Sequence, residues 1–354
     1  MERNLMKGNE ALAEAAIRAG CKCFFGYPIT PQTEISAYMA KRMPKIGGVF
    51  LQAESEIGAI NMVLGAASTG TRVMTSSSSP GISLKAEGIS YIAGSDLPCV
   101  IINVQRGGPG LGGIQPSQAD YWQATKALGH GDFHVMVFAP STVQEMVDLV
   151  TKAFDLADKY RMPTMILADG LLGQMMEPVT FPDEQSINEY DKSWAADGHK
   201  NSRKHNIINS LILSPDDLEK SVQERFERYD RIAKEEAMAQ CYLTDDADIV
   251  LVAYGATARV TQSAVDLARE KGIKAGLVRP QTLWPFPVEH IRTASENASD
   301  LLCVEMSMGQ MVDDVKLAIN CSKPVHFYGR TGGVIPTPTQ ILTEIEKIAG
   351  GAKV

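Results

Sequence analysis

The sequence predicts an α/β protein with two parallel β-sheets. Apolar, strand-like segments alternate with helical segments along most of its 354 residues. This order produces parallel sheets that are covered by helices. The segment 98–104 is almost continuously apolar, as expected for a strand that is buried on both faces. A polar stretch at 181–209 separates two such regions, and the chain length suits about two domains.

The first α/β region is assigned to residues 1–180. Apolar residues follow helical spacing over 12–19, and Gly20 is suited to end that helix. A second helix is predicted to open with Thr30 as its N-cap and Pro31 in its first turn. The remaining elements follow in the order strand 23–26, strand 48–52, helix 55–68, strand 72–75, helix 82–93, strand 98–104, strand 135–139, helix 142–159 and strand 163–168.

Residues 181–245 are predicted to connect the two regions. The segments 183–186 and 197–204 are polar and show neither helical nor strand periodicity. Ser214 and Pro215, which two acids follow, are typical of a helix start. We expect this helix to pack against a domain, because its apolar stripe is too short for a coiled coil. The stripe consists of Leu218, Val222, Phe226 and Tyr229.

The second α/β region is assigned to residues 246–354. A buried strand at 249–254 leads into Gly255-Ala256-Thr257, and a helix is predicted at 260–271. Three further strands, predicted at 276–279, 301–305 and 325–328, complete a small parallel sheet.

The composition excludes several classes of function. Charged residues make up 21% of the chain and hydrophobic residues 44%, as in ordinary globular domains. The net charge of -8 argues against a broad nucleic-acid surface. No apolar run approaches the roughly 20 residues of a membrane span, and residues 1–4 lack the layout of a secretory signal. We therefore expect a cytoplasmic protein that binds neither nucleic acid nor membrane.

The cysteines and histidines do not indicate a metal site. The six cysteines are scattered, and the isolated pair Cys21 and Cys23 offers too few ligands for zinc or an iron–sulfur cluster, which need about four. His130 and His134 lie four residues apart without a carboxylate-rich helix beside them. We expect ordinary reduced thiols and no cluster on this chain.

Ligands of open α/β sheets bind beyond the carboxyl ends of strands, a rule that selects five places in this chain. They are 27–30, 52–58, 75–81, 106–113 and 255–257. In the second place, Glu54 and Glu56 crowd one helix start, and small residues follow them. Carboxylates there act either as helix caps and dipole partners or as site residues, and the pattern alone leaves both interpretations open.

The fourth place has five glycines among its eight residues, 106–113. It lacks the Lys-Ser/Thr pair of a P-loop and the spacing of a dinucleotide-binding motif. Arg106 is suited to bind a substrate carboxylate through two hydrogen bonds, and a surface arginine on a flexible loop is the alternative. The four consecutive serines of the third place, 76–79, exceed what helix capping requires and are suited to hold an anion or a polar ring.

At these positions the sequence resembles the alpha-type subunits of 2-oxoacid:ferredoxin oxidoreductases. The matching motifs run in order through the whole chain. They are Gly-Asn-Glu-Ala at 8–11, Gly-Tyr-Pro-Ile-Thr-Pro at 26–31, Glu-Ser-Glu-Ile-Gly-Ala at 54–59, Arg-Gly-Gly-Pro at 106–109, Pro-Gln-Thr-Leu-Trp-Pro-Phe-Pro at 280–287 and Glu-Met-Ser-Met-Gly-Gln-Met at 305–311.

The resemblance implies the pyrimidine-binding domain of a thiamine-diphosphate enzyme, followed by a domain like the C-terminal domain of transketolase. Glu56 matches the glutamate that contacts a ring nitrogen of the aminopyrimidine and favours its imino tautomer. Thr30 and Arg106 match positions that face the carboxylate of the 2-oxoacid. The candidate cofactor-binding residues are Tyr27, Pro28, Ile29, Glu56, Ser78 and Ser79.

The resemblance also implies partner subunits. The chain has no Gly-Asp-Gly…Asn stretch for diphosphate and magnesium, no cluster cysteines and no coenzyme A domain. We expect magnesium and the diphosphate site on a beta subunit, and iron–sulfur clusters on partners that include gamma and ferredoxin-like delta subunits. Coenzyme A is the expected co-substrate and ferredoxin the expected acceptor. The active site would lie at a subunit interface in a dimer of heteromers.

The loop 110–120 resembles the branched-chain type, which decarboxylates 2-oxoisovalerate oxidatively to the acyl-CoA. Leu111 and Ile114 suit an apolar substrate side chain, and the loop has no further Lys or Arg for a distal carboxylate. A 2-oxoglutarate-specific subunit is the alternative, followed by pyruvate or aryl pyruvates as substrates. A non-catalytic assembly subunit and a nucleotide-dependent dehydrogenase are the competing functions. The first is disfavoured by intact Thr30, Glu56 and Arg106, and the second by the missing dinucleotide motif.

Overall fold

A computed structural model describes residues 3–126, 128–182 and 188–351. The segment 1–4, which lacks the layout of a secretory signal, lies partly outside the described residues. The predicted connector segment 183–186 lies wholly outside them. None of the helices in the described part of the chain combines the length and apolar character that are needed to span a bilayer.

The described elements alternate between strands and helices. The strands are β1 (Asn4–Lys7), β2 (Cys23–Gly26), β3 (Val49–Gln52), β4 (Val73–Ser77), β5 (Cys99–Gln105), β6 (Met136–Phe138), β7 (Pro163–Asp169), β8 (Met176–Val179), β9 (Ala239–Tyr242), β10 (Ile249–Val252), β11 (Ala275–Pro280), β12 (Thr282–Trp284), β13 (Asp300–Glu305) and β14 (Val325–Gly329). The helices are α1 (Gly8–Arg18), α2 (Thr33–Arg42), α3 (Glu56–Ser68), α4 (Pro80–Gly94), α5 (Tyr121–Thr125), α6 (Val143–Tyr160), α7 (Gly170–Gln174), α8 (Pro215–Glu235), α9 (Gly255–Glu270), α10 (Val288–Ala294), α11 (Met311–Ala318) and α12 (Pro338–Ala349), with a short 3-10 helix at Met43–Ile46.

The larger sheet has seven strands in the order β12-β6-β7-β5-β4-β2-β3. All neighbours pair in parallel except β12, which runs antiparallel to β6. The central strand β5 is buried at every residue, which explains its continuous apolar sequence. The smaller sheet has five strands in the order β14-β13-β10-β11-β9, and only β9 is antiparallel to its neighbour. The predicted α/β fold with two mainly parallel sheets is confirmed.

Two strands cross the predicted domain boundaries. β9 falls within the predicted connector 181–245 but pairs with β11 of the smaller sheet. β12 falls within the predicted second region but pairs with β6 of the larger sheet. The division of the chain at residues 180 and 245 stays a prediction. The two strands show that the predicted regions are joined by backbone pairing.

The predicted opening of α2 at Thr30 is wrong. The helix begins at Thr33, and its N-cap residue is Gln32. The backbone N–H of Gln32 instead donates to the carbonyl of Ile29 at 3.2 Å, so residues 29–32 close a turn before the helix starts. Thr30 thus lies in a loop at the end of β2, where its side chain is free for a role other than capping.

Helix α8 begins at Ser214 as predicted, and the Ser214 hydroxyl accepts from the N–H of Asp217. Only its second half packs as we expected. Tyr229 and Ile232 are buried, whereas Leu218 and Phe226 of the predicted stripe are exposed. Arg225 and Arg228 of this helix both form ion pairs with Asp96, which follows α4. The aliphatic parts of long arginine side chains also pack against apolar neighbours.

Buried apolar side chains form three clusters that join the layers. One lies between the larger sheet and helices α1, α2 and α6, and another surrounds α9 and α12 on the smaller sheet. The third lies under α3 and α4 and continues into the smaller sheet, so the two sheets share it. Members from the two sheets include Val73, Ile101, Met165, Val250, Val278 and Leu301.

Glu305 at the end of β13 fixes the start of α11. Its fully buried carboxylate accepts from the backbone N–H groups of Gln310, Met311 and Val312, each at 3.0 Å, and from the hydroxyl of Ser307 at 2.8 Å. The first N–H groups of a helix have no partner within it, and a carboxylate satisfies several of them together.

We predict that Glu305→Gln lowers the free energy of unfolding by about 1–3 kcal/mol, because the amide places a donor against backbone donors. The measurement is denaturant unfolding of the purified chain. The matched control is Glu289→Gln, the same change at an exposed residue whose pair with Arg292 is worth at most about 1 kcal/mol. Equal losses in the two variants would contradict this role for Glu305.

Candidate active site

Four of the five predicted places lie side by side. They follow β5, β4, β2 and β3, which are consecutive neighbours in the larger sheet. Since these strands are parallel, their carboxyl ends meet along one edge. The topology therefore brings the predicted places 27–30, 52–58, 75–81 and 106–113 together.

Glu56 is the first residue of α3, but it is not the cap of that helix. Ser55 is the N-cap, and its hydroxyl accepts from the N–H of Gly58 at 3.1 Å. The Glu56 side chain is 6% exposed, whereas Glu54 is exposed and lies against Gly58. Ser55 therefore acts as the cap. Glu56 is a buried carboxylate in the first turn of α3, where the helix dipole favours a negative charge but does not require it to be buried.

Glycine at position 81 lets α4 approach α3 closely. A Cβ atom at Gly81 would lie 2.1 Å from Ser77 Oγ and 2.8 Å from Glu56 Oε1. Only a residue without a side chain fits that space. The Glu56 carboxylate and the Ser77 hydroxyl therefore converge at the start of α4.

The hydroxyls of the serine run have different tasks. Those of Ser77 and Ser78 are buried and have no hydrogen-bond partner among the described residues. The Ser79 hydroxyl instead donates to Asp120 Oδ2 at 2.6 Å and accepts from the N–H of Arg106 at 3.1 Å. Ser77 and Ser78 are thus available to a ligand, while Ser79 joins the serine loop to the glycine-rich loop.

Arg106 and Thr30 are brought together as predicted. The guanidinium of Arg106 donates from Nη1 to the Thr30 carbonyl at 3.0 Å and from Nη2 to the Leu111 carbonyl at 3.4 Å. Its Nε is buried without a partner among the described residues. Arg106 is therefore a buried, oriented cation with donors left over, and it is not a surface arginine on a flexible loop.

Sequence reasoning missed Gln32, which holds the loop 27–30 in place. The buried Gln32 amide donates to the Tyr27 carbonyl at 3.2 Å and accepts from the Ser76 hydroxyl at 2.5 Å. Tyr27 and Ile29 are half-buried, and Pro28 is exposed. A glutamine just before a helix carries no pattern that would reveal this contact, because Ser76 lies on another strand.

Asp120 and Asn103 also escaped the sequence analysis. Asp120 accepts from Ser79 and from Asn103 Nδ2, the latter at 2.9 Å. Burial raises the pKa of Asp120, and the hydrogen bonds from Ser79 and Asn103, together with the charge of Arg106, oppose that rise. A cavity of about 520 Å³ opens beside this group, lined by residues that include Arg106, Asp120, Gln123, Met308, Gln310 and Thr331.

The fifth predicted place, 255–257, contributes support and does not line the site. The Thr257 hydroxyl donates to Gln118 Oε1 at 2.7 Å, and Gln118 Nε2 donates to the Tyr254 carbonyl at 2.8 Å. These contacts fasten the loop that carries Arg106 and Asp120 to the smaller sheet.

Two family models match most of the chain. The one described as "Pyruvate flavodoxin/ferredoxin oxidoreductase, thiamine diP-bdg" matches residues 14–240, and "Pyruvate:ferredoxin oxidoreductase core domain II" matches residues 247–341. The ketoisovalerate oxidoreductase subunit VorB of Methanothermobacter thermautotrophicus is 49% identical over 99% of both chains. The 2-oxoglutarate synthase subunit KorA of the same organism is 37% identical over 98% of this chain and 99% of the relative.

Solved structures agree with these relatives. A 2-oxoglutarate:ferredoxin oxidoreductase from Magnetococcus marinus, solved with 2-oxoglutarate, coenzyme A and succinyl-CoA bound, superposes with a TM-score of 0.88 at 27% identity. The match covers 98% of this chain but 65% of the solved chain, so this chain spans about two thirds of it. A split-gene transketolase at 15% identity shares the fold, with a TM-score of 0.62 over 97% of this chain.

The residues present fit the aminopyrimidine end of thiamine diphosphate. A buried carboxylate and two unpartnered hydroxyls suit a flat ring with nitrogen donors and acceptors. The charged end of that cofactor finds no comparable match, since the described residues contain no group of three or more His, Cys, Asp or Glu arranged to hold a metal ion.

We predict that Gly81→Ala lowers the free energy of unfolding by about 1–3 kcal/mol, because the new methyl group overlaps Ser77 and Glu56. Gly65→Ala is the matched control, since a Cβ atom there meets nothing within 4 Å, and the change should stabilise α3 by up to about 1 kcal/mol. Denaturant unfolding measures both variants, and a neutral Gly81→Ala would show that α3 and α4 are not tightly packed at this point.

Proposed function

This chain belongs to the 2-oxoacid:ferredoxin oxidoreductase family, and on that premise we propose that it supplies the aminopyrimidine half of the thiamine diphosphate site in a branched-chain enzyme. The proposed reaction joins 2-oxoisovalerate to coenzyme A with loss of carbon dioxide, and two electrons pass to ferredoxin. The convergence of Glu56, Ser77 and Gly81 is the observation that carries the proposal.

We also propose that residues 1–180 form the pyrimidine-binding domain, 181–245 a connector and 246–354 the transketolase C-terminal-like domain.

Glu56 is the proposed catalytic residue. When bound, thiamine diphosphate supplies a nucleophilic thiazolium carbon and an electron sink for decarboxylation. The carboxylate of Glu56 accepts a hydrogen bond from the ring nitrogen and so favours the imino tautomer of the aminopyrimidine. Its burial supports this role, since a charge–dipole contact is stronger where water is excluded. Ser78, together with the loop of Tyr27, Pro28 and Ile29, lies at the same strand ends and completes the proposed ring contacts.

Arg106 and Thr30 are proposed to bind the carboxylate of the 2-oxoacid. Two donors of Arg106 already hold the carbonyls of Thr30 and Leu111, and these bonds orient the guanidinium. The remaining donors, including the unpartnered Nε, are suited to bind a carboxylate through two hydrogen bonds. Thr30 is exposed, and its backbone carbonyl contacts the guanidinium.

The loop after Arg106 supports an apolar substrate. Leu111 and Ile114 are both exposed apolar residues of this loop, and the Leu111 carbonyl contacts Arg106. No Lys or Arg occurs between positions 107 and 120 to pair with a second carboxylate. The higher identity to the ketoisovalerate subunit than to the 2-oxoglutarate subunit agrees with this choice.

Partner subunits complete the proposed site. Beyond Glu56, α3 has no charged residue, and its exposed Ile57 lies at the start of an apolar outer surface to which Leu84 of α4 also contributes. Exposed apolar side chains of this kind are common at protein–protein interfaces, which supports a docked beta subunit here. We propose that this subunit holds magnesium and the diphosphate, that iron–sulfur clusters lie on partners such as gamma and delta subunits, and that the heteromers pair.

We place the complex in the cytoplasm, where the chain's six free cysteines would stay reduced. Ferredoxin is the proposed electron acceptor, and coenzyme A the proposed acyl acceptor.

We predict that Glu56→Gln lowers kcat/KM of the complex reconstituted with the beta subunit by at least about 100-fold, because the amide cannot support the proton transfer. Dye reduction that depends on thiamine diphosphate and coenzyme A is the measurement, and the chain alone should be inactive. The matched control is Glu54→Gln, the same change two residues away at an exposed carboxylate. Near-normal turnover of Glu56→Gln would refute the assignment.

We predict a preference of about 100-fold or more in kcat/KM for 2-oxoisovalerate over 2-oxoglutarate, because the second carboxylate would be desolvated without a partner. Leu111→Lys should narrow that ratio, and Leu111→Met, which keeps an apolar chain of similar length, should leave it unchanged. Steady-state kinetics of the reconstituted complex with both substrates measure the ratio, and a native preference for 2-oxoglutarate would overturn the substrate choice.

A further inference from the structure

Asp120 occupies the N-cap position of α5 without capping that helix. An aspartate at this position commonly accepts hydrogen bonds from the first backbone N–H groups of the helix, but the Asp120 side chain makes no such bond. Its Oδ2 atom instead accepts from the hydroxyl of Ser79 at 2.6 Å and from Nδ2 of Asn103 at 2.9 Å. The carboxylate is therefore bonded away from its own helix, to the strand ends that form the candidate active site.

Ser79 is the residue that this carboxylate holds, and its backbone is strained. Its φ of 22° and ψ of -83° lie in a region that residues with a side chain rarely adopt. A residue keeps such a conformation only where its surroundings fix it. Asn103 contributes to that restraint, since its Oδ1 accepts from the Ser79 N–H at 3.1 Å while its Nδ2 donates to Asp120. Ser79, Asn103 and Asp120 thus close a ring of three hydrogen bonds.

The Ser79 hydroxyl carries this restraint to Arg106. It accepts from the backbone N–H of Arg106 at 3.1 Å, and its own hydrogen is donated to Asp120. From that backbone the guanidinium extends to the Thr30 carbonyl, and its Nε is buried without a partner among the described residues. Because a contact through two hydrogen bonds requires both donors to be aligned with the carboxylate, a displacement of the Arg106 backbone weakens that contact.

This group of hydrogen-bonded residues lies at the site itself. Ser79, Arg106 and Asp120 all line the same cavity of about 520 Å³, and Asn103 is fully buried on β5. Capping does not explain an acid at position 120, because α5 does not use it. Packing does not explain it either, since an apolar side chain would fill the space at a lower cost in desolvation. What the side chain supplies is one acceptor that Ser79 and Asn103 share.

We propose that Asp120 is a positioning residue for Arg106: it fixes the Ser79 hydroxyl, and that hydroxyl fixes the backbone from which Arg106 reaches the carboxylate of the 2-oxoacid. This inference rests on the proposed function of Arg106. Asp120 itself has no contact with the reacting atoms in this role, so it affects how well the substrate binds and not the chemical step. A loss of binding that is equal in the ground state and the transition state raises KM and leaves kcat unchanged.

Two variants of Asp120 test this role in the complex reconstituted with the beta subunit. Asp120→Ala removes the acceptor, whereas Asp120→Asn keeps one oxygen that can accept from Ser79. We expect Asp120→Ala to raise the KM for 2-oxoisovalerate by about 10-fold or more, while kcat falls by less than about 3-fold. Asp120→Asn should keep the KM within about 3-fold of that of the unaltered complex. Steady-state kinetics measure both constants.

Equal rises in KM for Asp120→Asn and Asp120→Ala would overturn the proposal, because the charge of Asp120 would then matter and not its hydrogen bond to Ser79. Ser79→Ala interrupts the same contacts from the other side and should raise the KM by a similar factor. It keeps the test decisive if Asp120→Ala fails to assemble, since a normal KM in Ser79→Ala would also overturn the proposal.

The matched control is Asp158→Asn, the same change at a buried carboxylate far from the site. Asp158 pairs at 2.7 Å with Arg72, which precedes β4 and so lies at the opposite end of that strand from the serines. This change should lower the melting temperature of the complex without moving the KM. A rise in KM as large as that of Asp120→Ala would show a general effect of losing a buried carboxylate and would overturn the specific role of Asp120.

A double-mutant cycle separates this inference from the proposed function. If Asp120 acts through Arg106, then Asp120→Ala raises the KM little further once Arg106→Gln is present. Independent effects of the two changes would overturn the inference alone. If Arg106→Gln by itself leaves the KM for 2-oxoisovalerate unchanged, the proposed function of Arg106 is wrong, and the role of Asp120 is wrong with it.

Discussion

The buried amide of Gln118 is the contact on which the rest of the site depends. Its side chain donates to the Tyr254 carbonyl and accepts from the Thr257 hydroxyl and from the N–H of Met306, at 2.7–3.0 Å. A buried amide that loses a partner costs about 1–3 kcal/mol, so satisfied bonds of this kind hold one arrangement strongly. They join the loop after β5 of the larger sheet to the strand ends of the smaller one. The glycine-rich loop thereby gains a fixed base.

The position of the proposed substrate-binding arginine follows from that base. Asp120, two residues after Gln118, accepts from Ser79, and Ser79 in turn accepts from the N–H of Arg106. The guanidinium then reaches the Thr30 carbonyl across the sheet edge. The conformational freedom of five glycines is thus confined to the tip of the loop, while both of its ends are held by buried hydrogen bonds. A loop that is held at both ends keeps Arg106 in a fixed position at the site.

A second constraint, the close approach of α3 and α4, forms the other half of the site. Two glycines, Gly81 and Gly88, bring the helices near enough for Glu56 to lie beside Ser77. The same helices expose apolar residues on their outer surface. The inner contacts therefore prepare one end of a cofactor site, and the outer surface is suited to a subunit that supplies the other end.

Local patterns in the sequence identified the α/β class and most of the strands of both sheets. They also placed Glu56 and Arg106 at strand ends where ligands bind, because the carboxyl ends of parallel strands can be located from apolar runs. The proposed roles of Thr30, Glu56 and Arg106 came from the resemblance to a known family. The same patterns misplaced the start of α2, where a turn at 29–32 replaces the predicted cap. They also missed Gln32, Asn103 and Asp120. These residues act through partners on other strands.

Only the tertiary structure decided which sheet β9 and β12 would join, since short strands carry little periodicity of their own and pair according to the neighbours that are available. It also decided the role of Gln118. The contact of Gln118 with Tyr254 spans 136 positions of the chain. Such a contact depends on how the two sheets pack and not on any one segment of the sequence. The sequence therefore showed the chemistry of single residues, but only the tertiary structure showed how those residues are arranged.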